Sequence, residues 1–526
     1  MTEERDGVLV SHLAKQGVDD KMVMGHPAGL FVLFFTEMWE RFSYYGMRAL
    51  LVTFLITEIA KHGWGWSNPE AMELYGWYTG LVYATPLLGG LIADRLIGYK
   101  KAILLGALIM TLGHASMALE GIGKEFFYLG LGLMILGNGL FKPNISSMVG
   151  QLYPDSSAKK DAGYTIFYMG INAGAFLGSL LCGYIGEKIG WHYGFGLAGV
   201  FMFFGMLQFY FGQRIFGVIG DKPKIKNEEV NNDTDPTDHA SSGKIIKDRL
   251  IVVAVLIIAS IFFFLAFEQA GGSMTIFAKN YTQRVLEGGS ALTFKWVDAI
   301  LTLFPILVVT YVLLKLSSKI FNKYPLTILF TIVSFVSIAI LGFWKIHREF
   351  TALETEVTVA WFQILNAFFI VTLASSFSKF WEKVWNPTGP VKFALGLILV
   401  GAGFLVLSYG SMSIPQGAAT ASVSMIWLIL AYFFHTTGEL CVSPVGLSYM
   451  SKLSPKKFIG LIFGFWFLAS AIANKMAGWS GGLIDKITEM YSMSTFFMII
   501  AALPISAALL LLIFSPILKK MMHGIR

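Results

Sequence analysis

The sequence predicts an all-α polytopic membrane protein of about fourteen transmembrane helices. Three observations predict it. Only 14% of the 526 residues are charged and 55% are hydrophobic, with a mean hydropathy of +0.64, whereas a soluble chain carries roughly 25% charged residues. Apolar runs of about 20 residues, enough to cross a bilayer, recur at 102–118, 194–211, 250–267, 325–343, 393–408 and 495–514, among others. Basic residues gather in alternate short loops, as the positive-inside rule requires. A β-barrel would show shorter runs of alternating polarity. The net charge of +7 sits in loops and is no sign of nucleic-acid binding.

In chain order, residues 1–27 read as a polar cytoplasmic segment with no cleaved signal peptide, so the first spanning helix inserts the chain. Helices are expected near 28–60, 73–96, 100–119, 126–150, 161–187 and 193–216, forming a first bundle over 28–216. Residues 217–247, with NEEVNNDTDPTDHASSGK, have the composition of a solvated linker. Further helices are expected near 248–278, 293–316, 325–346, 358–382, 391–411, 422–450, 457–485 and 493–519, before a tail at 520–526. Lys100, Lys159, Lys222, Lys319, Lys379, Lys456, Lys519 and their lysine neighbours fall on one side, which makes both termini and the linker cytoplasmic. Cys182 and Cys441 each lie within a predicted helix and fit neither a disulfide framework nor a metal cluster.

One helix breaks the apolar rule. In FTEMWERFSYYGMRALL, residues Glu37, Glu40, Arg41, Tyr44, Tyr45 and Arg48 share one helical face. Each charge at mid-membrane costs on the order of 3 kcal/mol against lipid, so the stripe must face protein or a watery cavity. A structural ion-pair seam is the plainer alternative to a functional site. Lys142 lies mid-helix with Asn138 one turn before it, and needs an acid partner, for which Glu37 or Glu40 is the natural choice. An acid that releases a lysine on protonation is a proton switch.

EMWERFSYYGMR resembles the ExxERFxYYG signature of the proton-coupled oligopeptide transporters, a major facilitator family. GGLIADRLIG (89–98), GNGLFKPN (137–144), YTIFYMGINAGAF (164–176) and GELCVSPVGLSYM (438–450) extend the likeness through both halves. The resemblance implies the major facilitator fold, two six-helix bundles joined by a cytoplasmic linker. Here two extra helices, about 293–346, follow the Glu268 helix, where many bacterial relatives carry such a pair between the halves. They are expected to carry few buried charges and read as peripheral.

The resemblance also implies roles. Glu37, Glu40, Arg41, Lys142, Arg48 and Glu268 would couple protons, with Glu268 pairing Arg48 near the outer end of the cavity. Arg48, Lys142, Tyr45, Tyr83, Tyr168, Asn172, Asn366, Glu439, Ser443 and Trp466 would hold peptide, Glu439 meeting its amino terminus. His435, one turn before Glu439, reads as a packing residue. Two positions depart from the family pattern: Phe264 stands where a tryptophan is common, and Asn366-Ala367 where Asn-Pro is.

The expected function is proton-driven uptake of di- and tripeptides across a bacterial inner membrane by a monomer, with protons as coupling ion and no other cofactor. Another zwitterionic or anionic cargo, such as nitrate or a modified peptide, is the nearest alternative. A membrane sensor would append a soluble domain. An intramembrane enzyme would carry an HExxH or a GxSxG in a strand-to-helix turn; the chain has no HExxH, and its GxSxG match, GWSGG at 478–482, falls inside a predicted membrane helix.

Overall fold

The computed structural model describes residues 2–154, 157, 159–222, 243–455 and 458–525, with side chains from residue 7 onward. Most of the expected linker, Lys224 and Lys226 with it, and the Lys456-Lys457 pair lie outside the described residues. The helices are α1 (Thr2–Lys15), α2 (Ala28–Ile56), α3 (Asn68–Ile92), α4 (Tyr99–Met117), α5 (Lys124–Gln151), α6 (Lys159–Lys188), α7 (Trp191–Gly212), α8 (Gly243–Phe267) and α9 (Ser273–Asn280). They continue with α10 (Gly288–Ile320), α11 (Pro325–Thr351), α12 (Val359–Lys383), α13 (Gly389–Gly410), α14 (Ile426–Leu453), α15 (Ile459–Gly481), α16 (Ile484–Met490) and α17 (Met493–Met521). Two short antiparallel ladders pair β1 (Met22–Val23) with β2 (His26–Pro27), and β3 (Val285–Leu286) with β4 (Thr355–Glu356).

Among the described residues, twelve helical stretches are long and apolar enough to cross a membrane. The charged α2 and the shorter α4 run among them, which brings the number to the fourteen expected. α2 packs on α6 and α7, α4 on α5 and α7, and α3 on α5; in the second half α13 packs on α14 and α17, and α15 on α8. The halves meet where α3 lies along α15 and α6 along α12. Bare glycines permit the first contact: a Cβ on Gly478 would stand 2.4 Å from Gly76 Cα.

Two expected helices are interrupted. The helix expected near 248–278 is α8 and α9 with a 3-10 turn, Glu268–Gly271, between them; the one expected near 457–485 is α15 followed by the start of α16. Both breaks fall at a double glycine, Gly271-Gly272 and Gly481-Gly482, where helix propensity is lowest short of proline. The polar N-terminal segment also holds more structure than expected. α1 buries Leu9 and Leu13, and Asp19 beyond it is gripped by Lys323 at 2.6 Å and Tyr324 at 3.0 Å from the α10–α11 turn.

The extra pair α10–α11 is not peripheral in its packing. It enters from the sequence of the second half but lies on first-half helices, α11 on α7 and α10 on α6. Phe335 contacts Phe35 and Trp39 of α2 with ring centroids 5.5 and 5.3 Å apart, and Phe330 stacks on Phe211 of α7 at 5.5 Å. Nor is the pair short of buried charge: Asp298 and Lys345 form an ion pair at 2% exposure each, and Glu349 accepts a hydrogen bond from Tyr184 of α6 at 2.7 Å. The sequence hides this because Asp298 and Lys345 lie 47 positions apart on different helices, and spacing within one helix does not pair them.

Two outcomes follow for stability. Lys345→Met leaves Asp298 buried without a counter-charge and should cost about 3–5 kcal/mol; adding Asp298→Leu should recover most of the loss in detergent melting. Burial opposes the charged form of Asp19, but Lys323, the Lys21 backbone N–H and Tyr324 outweigh it and hold the carboxyl below its usual range. A depressed acid stabilises above its unfolded value, about 3.9, and loses that contribution as pH falls through the folded one. Asp19→Asn should therefore melt lower than the native chain at pH 7, with the gap closing toward pH 4 and below.

Candidate functional site

α2 is buried along all but Tyr45 and Ile56. Its charged stripe therefore faces protein, and the first charges answer one another locally. Arg41 Nε donates to Glu37 Oε1 at 2.6 Å, the i, i+4 partner, and lies 2.9 Å from Glu40 Oε2. Asn138 of α5 donates to Glu40 Oε1 at 2.8 Å. Glu37 Oε2 has no hydrogen-bond or ion-pair partner among the described residues, which leaves that acid an oxygen free to take a proton, whereas both oxygens of Glu40 are engaged, Oε1 by Asn138 and Oε2 by the Arg41 charge.

Lys142 does not pair with either glutamate, contrary to the expectation. No described carboxylate lies within 4.0 Å of it; its Nζ stands 4.1 Å from the centroid of the Tyr83 ring. The physical reason is Arg41, which already takes both acids from within α2. The ring face supplies a cation–π contact in place of a counter-ion.

Arg48 reaches across to the second half. It forms a salt bridge with Glu268, which begins the turn after α8, and it donates to Tyr75 Oη of α3 at 2.7 Å. Both charges are nearly covered, Arg48 at 8% and Glu268 at 3% exposure.

Between the halves lies a cavity of about 170 Å³. Tyr45, Arg48, Tyr83, Tyr168 and Asn172 line it from the first half, and Glu268, Asn366 and Glu439 from the second. Asn366 Nδ2 donates to Glu439 Oε2 at 2.9 Å and so aims the carboxylate. Asn172 Nδ2 is spent on the Tyr168 carbonyl at 2.9 Å. One wall is thus cationic, Arg48 with Lys142 behind Tyr83, and the other anionic.

Three expected peptide contacts stand outside, Lys142 behind the Tyr83 ring being the first. Ser443 is half-buried and does not line the cavity; Trp466 packs behind Phe264, centroids 6.1 Å apart, and Phe264 supplies the wall. His435 reaches the lining but its ring lies against Phe404 at 4.6 Å. Gln363, Tyr432 and Phe267 line the cavity without having been singled out. Gln363 carried a legible signal, since it shares a helix face with Asn366 three positions on. A wider opening of about 750 Å³, bordered by Lys392, Lys452 and Lys519, lies among α13, α14 and α17 and contains none of the expected site residues.

A two-bundle membrane protein with a central cavity and charged pairs between its halves is a transporter by architecture. The POT family model matches residues 100–232 and 345–499, more than half of the chain. The chain is 34% identical to the peptide transporter YePEPT of Yersinia enterocolitica over 94% of its own length and 96% of that protein. It is 33% identical to a di-/tripeptide transporter of Lactococcus lactis, covering 96% and 99%. Among solved structures it is similar to a peptide transporter POT in complex with sulfate, at 29% identity and a TM-score of 0.75 over 99% of each chain. The chain belongs to the POT family.

The geometry predicts an asymmetry within the first cluster. Asn138→Ala removes one hydrogen bond from the buried Glu40 carboxylate, worth about 1.5–3 kcal/mol to a charged group. The pH at which transport is half-maximal should rise, because the neutral acid is relatively favoured. A titration of uptake rate against pH in proteoliposomes checks this.

Proposed function

We propose that the protein is a proton-coupled symporter that takes up di- and tripeptides by alternating access. The single observation that carries this reading is the opposed charge of the cavity walls. Arg48, with Lys142 behind the Tyr83 ring, suits a peptide carboxylate, and Glu439, aimed by Asn366, suits its amino group. A free peptide carries both charges at neutral pH, and a nitrate ion carries only one.

Protons enter this scheme at two buried clusters. Glu37 and Glu40 share Arg41, and protonating one acid leaves Arg41 balanced by the other. Glu268 holds Arg48 across the halves, and protonating it weakens a bond that closes them. Arg48 so released gains capacity for the substrate carboxylate, which links the proton to the cargo. The lysine-bearing loops support a cytoplasmic placement of both termini in a bacterial inner membrane, and the monomer holds a complete cavity.

Glu439→Gln should weaken ordinary dipeptides by roughly 10- to 150-fold, the equivalent of a charge-assisted hydrogen bond, and analogues lacking the amino group much less. Equal losses would remove Glu439 from the amine site. Glu40→Gln cannot release a proton, so uptake driven by a pH gradient should fail while exchange of labelled for unlabelled peptide persists in part. A purely structural role predicts joint loss of folding, exchange and uptake. A competition panel of dipeptides, tripeptides, amino acids and nitrate against an imposed gradient tests the cargo; competition by nitrate alone would overturn the peptide reading.

A further inference from the structure

The helix that carries Glu268 is broken at that residue, and the break has a cost inside a membrane. A carbonyl that leaves the helical ladder in a water-poor interior must find another donor. Two carbonyls of the turn find tyrosines, one from each half. Tyr75 of α3 donates its hydroxyl to Glu268 O at 3.2 Å, and Tyr432 of α14 donates to Ala270 O at 3.1 Å. Gln269 ties the same turn to α15, donating to Ala477 O at 3.0 Å and Ser480 Oγ at 2.9 Å.

Tyr75 has a second contact that Tyr432 lacks. Its oxygen accepts from Arg48 Nη2 at 2.7 Å and Nε at 3.2 Å. One hydroxyl therefore holds the backbone of Glu268 and the guanidinium that binds the side chain of Glu268. The ring is fully buried. The fit depends on Gly271, where a Cβ would stand 2.3 Å from Tyr75 Oη and 3.1 Å from Arg48 Nη2.

We propose that Tyr75 is a positioning residue for proton coupling, keeping the Arg48 charge hydrogen-bonded while Glu268 is protonated. This rests on the reading that Glu268 takes up a transported proton. When that proton binds, Arg48 loses its counter-charge within a buried site. A neutral oxygen that remains in place makes this state reachable. Without it, Arg48 leans on the carboxylate alone, and protonation becomes harder. Tyr44 and Tyr45 on α2, Tyr83 on α3, Lys142 on α5 and Glu439 on α14 also lie within electrostatic reach of Glu268. A substitution at Tyr75 leaves all five in place.

The test uses the full chain in proteoliposomes, with labelled dialanine. Tyr75→Phe should move the pH of half-maximal gradient-driven uptake down by about one unit, the equivalent of one charged hydrogen bond. At a pH low enough to protonate Glu268 in both proteins, counterflow should stay within about two-fold and KM should hold. Tyr432→Phe removes a donor from the same turn without touching Arg48, so it should leave the pH midpoint where it is, whatever it does to rate. Gly271→Ala keeps the Tyr75 hydroxyl but crowds it off Arg48, and should reproduce the acid shift by a second route.

An unmoved midpoint in well-folded Tyr75→Phe protein overturns the proposal, as does an equal shift in Tyr432→Phe. So does a pH-independent loss of both uptake and counterflow. Glu268→Gln separates this from the reading beneath it. If that variant still accumulates dialanine against a gradient, the coupling role of Glu268 falls, and the proposal with it. If it loses accumulation while Tyr75→Phe is silent, only the role of Tyr75 falls.

Discussion

A charge taken out of water needs an answering group, and most of this structure can be read from that constraint. α2 carries four charges and sits at the centre of the first bundle, buried on nearly every side. Glu37 and Glu40 close on Arg41 within the helix; Arg48 closes on Glu268 across the two halves. The first arrangement is local and travels with its bundle. The second spans the division along which alternating access must open, so its strength and the state of the halves are linked. Replacing buried pairs by apolar residues often costs little stability. The Arg48–Glu268 pair lines the cavity, which accords with a working role for it.

The same constraint orders the extra helices. Asp298 and Lys345 pair inside the α10–α11 hairpin, and Glu349 meets Tyr184 of α6. These contacts, with Phe335 against α2 and Lys323 on Asp19, fasten a hairpin from the second half's sequence to the first half's helices. A rigid-body motion of the halves then has to be absorbed where α9 leads into α10 and α11 into α12, the segments that pair as β3 and β4. The POT family model spans neither α8–α10 nor most of α11.

The fold was legible because lipid enforces it: long apolar runs, polar punctuation and lysine-bearing loops all repeat. The α2 stripe was legible because a helical period needs only spacing. What escaped the sequence depended on distances between helices. Lys142 was expected beside Glu37 or Glu40, yet Arg41 was already one turn from the first and adjacent to the second. The break after Phe267 was missed although the apolar run ends there at Glu268-Gln269 and Gly271-Gly272 follows. Tyr75 reads in sequence as one more tyrosine of a membrane helix, a residue type common as an interfacial anchor. Only the folded chain puts its hydroxyl between Arg48 and the Glu268 carbonyl. Trp466 failed in the other direction, since the motif that pointed to it does not tell whether Phe264 stands in front.

Cargo and proton should move together through one cavity. The most direct measurement is the internal pH of proteoliposomes, followed with a trapped dye after dialanine is added outside, with no gradient imposed. Coupled entry should acidify the lumen, and only with both the peptide and an ionisable residue at position 268 present. Entry of labelled dialanine at the native rate with no change in internal pH would contradict it.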